Sequence, residues 1–372
     1  MKKGYYVYLN SSSAGVRKKI DMQCTIFEST LDIKKIEVSY KKRNFINKML
    51  AYLPFFNVGV DYQSIKEQII DPDFVYIRRL LADRQYIKFL AFLKKQYPKC
   101  KIILEMYTYP YYKDAFCRNF KHFITHFFLS LKDFYNSHRQ KKYIDRIVTY
   151  SRDEKIYGIE TIQTTNGVDV KMILEKRNYN NTDSINIISV AYMQPHHGYE
   201  RLIKGLYYYY QNAGDKVINY YLIGEGPEKK KYERLVKKYH LQENIHFVGE
   251  KKGEELEKYY DIADIAVGSL GGYKIGINLF SSLKLYEYFA KGLPILSGCP
   301  VNIIGEKDSP YICYFPNNST PIDLKIVINY LSNLYLKSKE YTSHMIRNYS
   351  MDHVDISVAM KSTIDYIDKN EK

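Results

Sequence analysis

The stretch SSLKLYEYFAKGLPILSG, residues 281–298, predicts a helix that leads directly into a buried strand. Apolar residues recur at helical intervals up to Phe289, and Gly292 and Pro294 end the helix before an apolar run. Two serines stand at its start, where unpaired backbone N–H groups and the positive end of the helix dipole favour a phosphate. Glu287 lies between one and two turns further along, where a carboxylate can accept hydrogen bonds from a ribose diol. The pattern indicates a nucleoside-diphosphate site, although an ordinary capped helix before a strand has the same features.

The composition is that of a folded protein long enough for two domains. The chain has 372 residues, of which 45% are hydrophobic and 26% are charged. No run of 18 apolar residues predicts a membrane span, and the polar start of the chain lacks the apolar core of a secretory signal. The five cysteines form no close pair and no metal-binding spacing, which favours a reducing compartment. We therefore expect a cytoplasmic protein.

The net charge of +15 is confined to the first half of the chain. Residues 1–180 hold 33 lysines and arginines against 18 acids, whereas residues 181–372 hold 23 of each. This asymmetry predicts that the first half faces an anionic partner. Nucleic acid and an anionic membrane surface are the two candidates, and no nucleic-acid recognition motif supports the first.

Strand and helix patterns alternate in both halves, which predicts parallel sheets covered by helices on both faces. The predicted strands are short apolar runs at 5–9, 33–39, 74–77, 101–105, 146–150, 185–191, 217–223, 245–248, 265–267 and 293–296. The polar segment 180–184 is the predicted domain boundary. We expect two Rossmann-like, doubly wound α/β domains, 1–180 and 181–345, that face each other across a cleft. The segment 346–372 is expected to return its helix to the first domain.

Two loops of the second half are further candidates for ligand binding. In VINYYLIGEGPEKKKYERL, a strand leads through Gly224, Glu225 and Gly226 into a helix. The turn is similar to a dinucleotide fingerprint but lacks the third glycine, so an oxidoreductase site and a plain strand–turn–helix are both alternatives. His197 and Gly198 stand at another predicted helix start, where an imidazole can hydrogen-bond a phosphate or simply belong to a loop.

The first half offers candidates for a second ligand. Gly15 opens a predicted helix that carries Lys18, at the place where a doubly wound domain exposes a ligand loop. Tyr107 and Tyr109 follow a predicted strand, where they can stack on a sugar ring or pack against the protein.

Two segments combine basic residues with phenylalanine. FCRNFKHFITHFFLSL, residues 116–131, spaces its apolar residues at helical intervals, and KKRNFINKMLAYLPFF, residues 41–56, has a similar character. Such segments either lie in a membrane interface, where each basic residue adds about 1 kcal/mol near anionic lipid, or turn their phenylalanines to the core. His122 and His126 lie one helical turn apart, but no third ligand accompanies them, so no metal site is expected.

Taken together, these motifs resemble the donor half of bacterial GT-B glycosyltransferases, family 4-like, of the type that acts in capsular or exopolysaccharide synthesis. The resemblance rests on VAYMQPHHGYERLIKGL, LIGEGPEKKKYERL, IHFVGEKKGEELEKYYDIADIAVGSLG and SSLKLYEYFAKGLPIL. It is strongest between residues 189 and 298. Three segments of the first half resemble the acceptor half and its closing Asn-Gly segment: YIRRLLADRQYIKFLAFLKKQYP, ILEMYTYPYY and TYSRDEKIYGIETIQTTNGVDV.

The resemblance implies that a UDP- or GDP-linked sugar is donated to a lipid-linked or polysaccharide acceptor, with retention of configuration and no metal cofactor. Glu287 would bind the ribose of the nucleotide. The backbone at Ser281, Ser282 and Leu283 would hold the diphosphate, and the turn at 224–226 would line the nucleotide pocket. The expected location is peripheral, on the inner face of the cell membrane.

The sequence departs from the family pattern at two places. Leu279 replaces an acid that touches the donor sugar, and Ala191 and His197 stand where an arginine and a lysine bridge the diphosphate. Lys284 is the candidate for the missing positive charge. No residue stands out as a catalytic base or nucleophile. A catalytically inactive scaffold that serves as a partner subunit is therefore an alternative, as is a basic nucleic-acid-binding protein.

Overall fold

The structure, a computed structural model, describes residues 1–9, 14–41, 44–51, 53, 56–57, 59–107, 109, 123–179, 183–306 and 308–369. They form two compact units, Met1–Thr165 with Ala359–Lys372, and Asn166–Val358. Residues 166–179 thus group with the second unit, whereas the sequence pattern places the boundary at 180–184. The reason is hydrogen bonding, since Val168 N donates to Val354 O at 3.0 Å and Lys176 N donates to Lys291 O at 3.1 Å.

The first unit is built on seven strands. They are β1 (Lys3–Leu9), β2 (Asp32–Val38), β3 (Phe74–Arg78), β4 (Lys101–Met106), β5 (Arg146–Thr149), β6 (Lys155–Ile156) and β7 (Ile159–Gln163). Their order is β2-β1-β3-β4-β5-β7-β6, and every pair is parallel apart from the β6–β7 hairpin. The first five strands are confirmed predictions. The last two are not predicted because they are short or mixed in polarity, and pairing with β5 makes β7 a strand.

Helices cover this sheet. They are α1 (Ala14–Glu28), α2 (Phe45–Leu50), α3 (Tyr62–Gln68), α4 (Arg84–Gln96) and α5 (Phe123–Ser137), and α5 continues into a 3-10 turn at His138–Lys142. All five residues of β3 are buried, as expected of a central strand in a parallel sheet.

The second unit contains six parallel strands. They are β8 (Ile185–Val190), β9 (Ile218–Ile223), β10 (Ile245–Gly249), β11 (Ile265–Val267), β12 (Ile295–Ser297) and β13 (Ile312–Tyr314). Their order is β10-β9-β8-β11-β12-β13, so the direction of winding reverses between β8 and β11. In doubly wound sheets, the loops at the carboxyl ends of strands diverge at such a reversal and leave a crevice for ligands.

The helices of the second unit connect these strands and follow them. They are α6 (Glu200–Gln211), α7 (Lys229–Lys238), α8 (Glu254–Ile262), α9 (Leu283–Ala290), α10 (Leu324–Leu334) and α11 (Lys339–His353). The final helix, α12 (Ile356–Asp368), belongs to the first unit from Ala359 onward, where Lys101 Nζ donates to Tyr366 O at 2.6 Å. None of the helices in the described ranges combines the length and the apolar character that a membrane crossing requires.

Candidate functional site

The candidate site of the second unit lies at the reversal between β8 and β11. The loop that follows β8 is tied to the loop that follows β11, because Leu270 N donates to His197 O at 2.8 Å and Gly271 N donates to His196 O at 3.1 Å. Gly198 has a φ of 63°, and a Cβ atom there would lie 2.5 Å from Gly271 N. Only glycine therefore allows these two loops to approach so closely.

The turn at Gly224–Gly226 packs against the same loop after β8. Its two glycines have φ values of 122° and 143°, and a Cβ atom on Gly224 would lie 2.1 Å from Ala191 O. Met193 N donates to Glu225 O at 2.6 Å, which joins the turn to the loop. The Glu225 carboxylate is exposed and pairs with Lys229 at 2.6 Å. The turn thus borders the crevice, with its glycines pressed against the protein's own backbone.

Helix α9 begins at the edge of the crevice. Ser282 precedes it in extended conformation and makes no side-chain capping bond, while its carbonyl accepts from Leu285 N at 3.0 Å. The Ser282 side chain therefore caps none of the first-turn N–H groups, which include that of Leu283. Glu287 follows on the next turn and is half-buried. The serines, Leu283 and Glu287 thus share one end of one helix.

Asn166 positions the chain just before α9. Its side-chain Nδ2 donates to Ser281 O at 2.6 Å, and its backbone N donates to Ser281 Oγ at 3.1 Å. Tyr286 OH donates to the same Oγ at 3.0 Å. Sequence reasoning missed this role for Asn166. The only signal was the Asn-Gly pair in the segment that resembles the end of the acceptor half.

Lys284 and His197 set the electrostatics of the crevice. Lys284 Nζ donates to Gly268 O and to Tyr199 OH, both at 3.2 Å, and burial lowers the pKa of this lysine to about 7. Gln194 N donates to His197 Nδ1 at 2.9 Å, which assigns the ring proton to Nε2. Burial, and then the nearby Lys284 amine, lower the pKa of His197 well below its usual range. His197 is therefore a neutral hydrogen-bond donor at physiological pH.

The predicted acceptor-binding residues of the first unit lie in several places. Gly15 and Lys18 lie exposed at the start of α1, and the preceding residues 10–13 lie outside the described part of the chain. Tyr107 follows β4, with its ring 4.5 Å from the Arg78 guanidinium. Tyr109 packs against the core, and its ring makes an edge contact with Tyr157 at 6.1 Å. Tyr109 is thus partly buried by packing, and its contact with an acceptor sugar stays a prediction.

Tyr107 also lines a cavity of about 220 Å³ in the first unit. The other lining residues come from the ends of β1 and β3 and from the chain between β2 and α3: Leu9, Tyr40, Val60, Arg79, Leu80 and Leu81. The cavity thus lies at the carboxyl edge of the first sheet, where ligands of parallel sheets bind.

Sequence reasoning also missed a buried charge cluster beside this cavity. Glu105 is fully buried and pairs with Arg78 at 2.9 Å, while Gln23 Nε2 and Tyr150 OH donate to its other oxygen. Burial alone would raise the pKa of Glu105, but Arg78 and Lys19 together hold it below its usual value. Burial in turn lowers the pKa of Lys19 to about 7. The cluster fixes Arg78 beneath the Tyr107 ring.

The residues that the structure describes include no cluster of three or more histidines, cysteines or carboxylates suited to an ion. His122 and the side chain of His126 lie outside that part of the chain.

Comparison with known proteins identifies the fold. A family model described as glycosyl transferases group 1 matches residues 171–306. A glycosyltransferase from Rickettsia africae aligns over 100% of this chain and 99% of its own, with 14% identity and a TM-score of 0.61. HepE from Anabaena, solved with UDP, aligns over 99% of both chains, with 10% identity and a TM-score of 0.62.

The lipopolysaccharide outer core galactosyltransferase WaaB covers 98% of this chain and 99% of its own, with 11% identity and a TM-score of 0.58. No curated protein sequence matches the chain. At these identities the solved structures establish the fold, so the predicted GT-B fold, with two Rossmann-like domains, is confirmed. Together with the matched group 1 domain, they support a GT-B glycosyltransferase.

Proposed function

We propose that this GT-B glycosyltransferase transfers a hexose from a UDP-linked donor to a lipid-linked or polysaccharide acceptor in surface-polysaccharide synthesis, with retention of configuration. HepE has been solved with UDP and with UDP-glucose, and WaaB is a galactosyltransferase of the lipopolysaccharide outer core. These relatives support a nucleotide-linked hexose as donor and a cell-surface glycan as product. The basic first half supports peripheral attachment to the inner face of the membrane.

The observation that carries the proposal is the start of α9. Ser282 makes no side-chain cap to the N–H groups of α9, and Asn166 holds Ser281 in place directly before it. During transfer, the bond from the anomeric carbon to the diphosphate oxygen breaks, and that oxygen keeps the electron pair. Fixed N–H donors and the positive end of a helix dipole stabilise the charge that develops on it. The acceptor hydroxyl oxygen forms the new bond to the anomeric carbon, and its proton passes to the departing diphosphate.

Lys284 and His197 have complementary roles in this proposal. A bound diphosphate raises the pKa of Lys284, because a nearby negative charge favours the protonated amine, and so supplies a cation where the family's clamp is missing. His197 offers its Nε2–H as a neutral donor to a phosphate oxygen. Glu287 accepts hydrogen bonds from the ribose, and the Gly224–Gly226 turn lines the nucleotide pocket.

The test is the affinity of UDP for the Glu287→Ala variant, measured by calorimetry. Hydrogen bonds to a charged group contribute about 1.5–3 kcal/mol, so we expect UDP to bind roughly 10- to 100-fold more weakly. The control is Glu233→Ala, which removes an exposed glutamate of α7 in the same unit. An unchanged UDP affinity in Glu287→Ala would contradict the proposed nucleotide site.

An inactive GT-B scaffold is the second candidate, and Leu279 favours it because the family pattern has an acid at this position. The two candidates differ in turnover. Purified protein that releases UDP from a UDP-hexose, with loss of the signal in Glu287→Ala, supports the enzyme. Binding of the donor without any release of UDP, with or without acceptor, supports the scaffold.

A further inference from the structure

In the C-terminal half of α5, polar side chains lie inward and apolar side chains lie outward. Lys132 and Asp133 are only 1% and 2% exposed, whereas the adjacent Phe134 and Tyr135 are 57% and 68% exposed. A surface helix of a globular protein normally has the opposite arrangement. The outward side of α5 is therefore suited to contact with something less polar than water.

Specific bonds fix this orientation. Asp133 accepts from Ala82 N at 2.7 Å and from Arg79 at 2.8 Å, and Lys132 Nζ donates to Ala51 O. Rotating α5 to bury its apolar side would break these bonds and take the Asp133 carboxylate away from the Arg79 guanidinium and the Ala82 N–H. The inverted orientation is thus the stable one for the isolated chain.

The exposed apolar side chains of α5 share one side of the helix. Phe127, Leu131 and Phe134 are spaced four and three residues apart, and Tyr135 follows Leu131 by four. We call the exposed set Phe127, Leu131, Phe134 and Tyr135 the outer apolar face.

Positive charge borders this face. The 3-10 turn that continues α5 carries Arg139, Lys141 and Lys142, all exposed. Apolar side chains that sink into the headgroup boundary, flanked by exposed cations, are typical of a helix that lies in the interface of an anionic bilayer. Charge complementarity therefore favours an anionic lipid surface as the occupant of the outer apolar face.

The cavity at the carboxyl edge of the first sheet adjoins the inward side of α5. Tyr40 and Val60 line it and pair with each other across the base of the segment that holds Ile46 and Phe56. Arg79 lines it as well and is held by Asp133 of α5. Asp133 already neutralises this guanidinium, and the other residues that line the cavity are leucine, valine and tyrosine. The cavity therefore suits an apolar chain.

We propose that the outer apolar face docks on an anionic lipid bilayer and that the adjoining cavity receives the apolar chain of a lipid-linked acceptor. The docking stands on α5 alone, whereas the role of the cavity rests on the proposed function. Because the cavity adjoins α5, docking through this helix brings the cavity near the lipid that carries the acceptor chain.

Flotation with vesicles of phosphatidylcholine and phosphatidylglycerol tests the docking. Leu131→Glu/Phe134→Glu should abolish binding, and Arg139→Gln/Lys141→Gln/Lys142→Gln should weaken it up to about 100-fold at low salt, from about 1 kcal/mol for each cation. The matched control is Met172→Glu/Leu336→Glu, which changes two exposed apolar residues of the second unit. Undiminished flotation of the α5 variants would overturn the proposal. So would a wild-type oligomer that binds no vesicles and that these variants convert to monomers.

A cavity-filling variant tests the acceptor chain. Val60→Phe should lower kcat/KM about 10-fold or more for an acceptor with a long prenyl chain and leave an acceptor with a short alkyl chain unaffected. An equal loss with both acceptors, or no loss with either, would contradict the cavity's assignment. Release of UDP from UDP-hexose is measured in parallel. If the wild-type protein releases no UDP, the proposed function fails. If it releases UDP but the α5 and Val60→Phe variants behave like the wild type in flotation and in the acceptor assay, only the present inference is refuted.

Discussion

His197 and Lys284 show how burial decides the charge of individual side chains in the candidate donor site. Both are basic residues near a proposed diphosphate, yet burial lowers the pKa of each, and the Lys284 amine lowers that of His197 further. In the proposed function His197 therefore donates from Nε2, because its Nδ1 already accepts from Gln194 N. In the same proposal Lys284 gains a proton when the diphosphate binds.

The neutral state of His197 makes stability depend on pH. Below its ordinary pKa of 6.5, His197 takes up a proton in the unfolded chain but not in the folded one. The unfolded state then binds more protons, so the free energy of unfolding falls as the pH falls, by up to about 1.4 kcal/mol per pH unit for this group.

Urea unfolding from pH 6.5 down to about pH 5 measures this contribution. We expect His197→Gln to have a shallower pH dependence than the unaltered chain, because glutamine does not titrate. His246→Gln, which removes a half-buried imidazole on β10, serves as the control. If both variants keep the full slope, His197 is protonated in the folded protein.

At the scale of single elements, the Gly224–Gly226 turn has a structural role that its sequence only partly predicts. The two glycines indicate a close backbone approach, and the structure shows that the approach is to the loop after β8, at Ala191 and Met193. The same contacts bring that loop, with His197, to the crevice. The turn therefore helps to hold the loop that carries His197 in its position at the candidate site.

Gly224→Ala is expected to destabilise the protein. The variant combines a positive φ, which costs about 1–3 kcal/mol for a side chain, with a Cβ atom 2.1 Å from Ala191 O. The control is Gly253→Ala, where φ is also positive but the Cβ atom meets nothing within 4 Å. Chemical denaturation should show the larger loss for Gly224→Ala, and equal losses would mean that the turn relaxes away from Ala191.

Helix α5 is an element whose existence and orientation have different origins. The helical spacing of its apolar residues predicts the helix, and both a membrane-facing and a core-facing orientation fit that spacing. The described members Phe127 and Leu131 are exposed, which disfavours the core alternative for these two residues. The buried hydrogen bonds of Lys132 and Asp133 decide this orientation, and the spacing of the phenylalanines does not predict these bonds.

At the scale of the whole molecule, donor binding should raise thermal stability. A ligand that binds only the folded state adds about 2.7 kcal/mol at 100 times its Kd, and each kcal/mol corresponds to about 2–4 °C in Tm for a unit of this size. We expect UDP-hexoses to raise Tm by several degrees. GDP-hexoses are the matched controls, and an equal or larger shift with them would contradict the assignment of UDP.

The sequence by itself determined the two alternating α/β units, most strand positions, and the helix start after Ser282. These features depend on hydrophobic periodicity and turn residues within about 20 neighbouring positions, so local patterns are sufficient to predict them. The ordered motifs of the second half also resemble those of GT-B glycosyltransferases, and this resemblance implied the GT-B fold.

Only the tertiary structure decided which residues complete the candidate sites. Asn166 reaches Ser281 across 115 positions, and Gln23 reaches Glu105 across 82. No periodicity joins residues so far apart, because their pairing depends on how strands are ordered in the sheet. For the same reason, the burial that neutralises His197 and the inward turn of Asp133 follow from packing between distant segments.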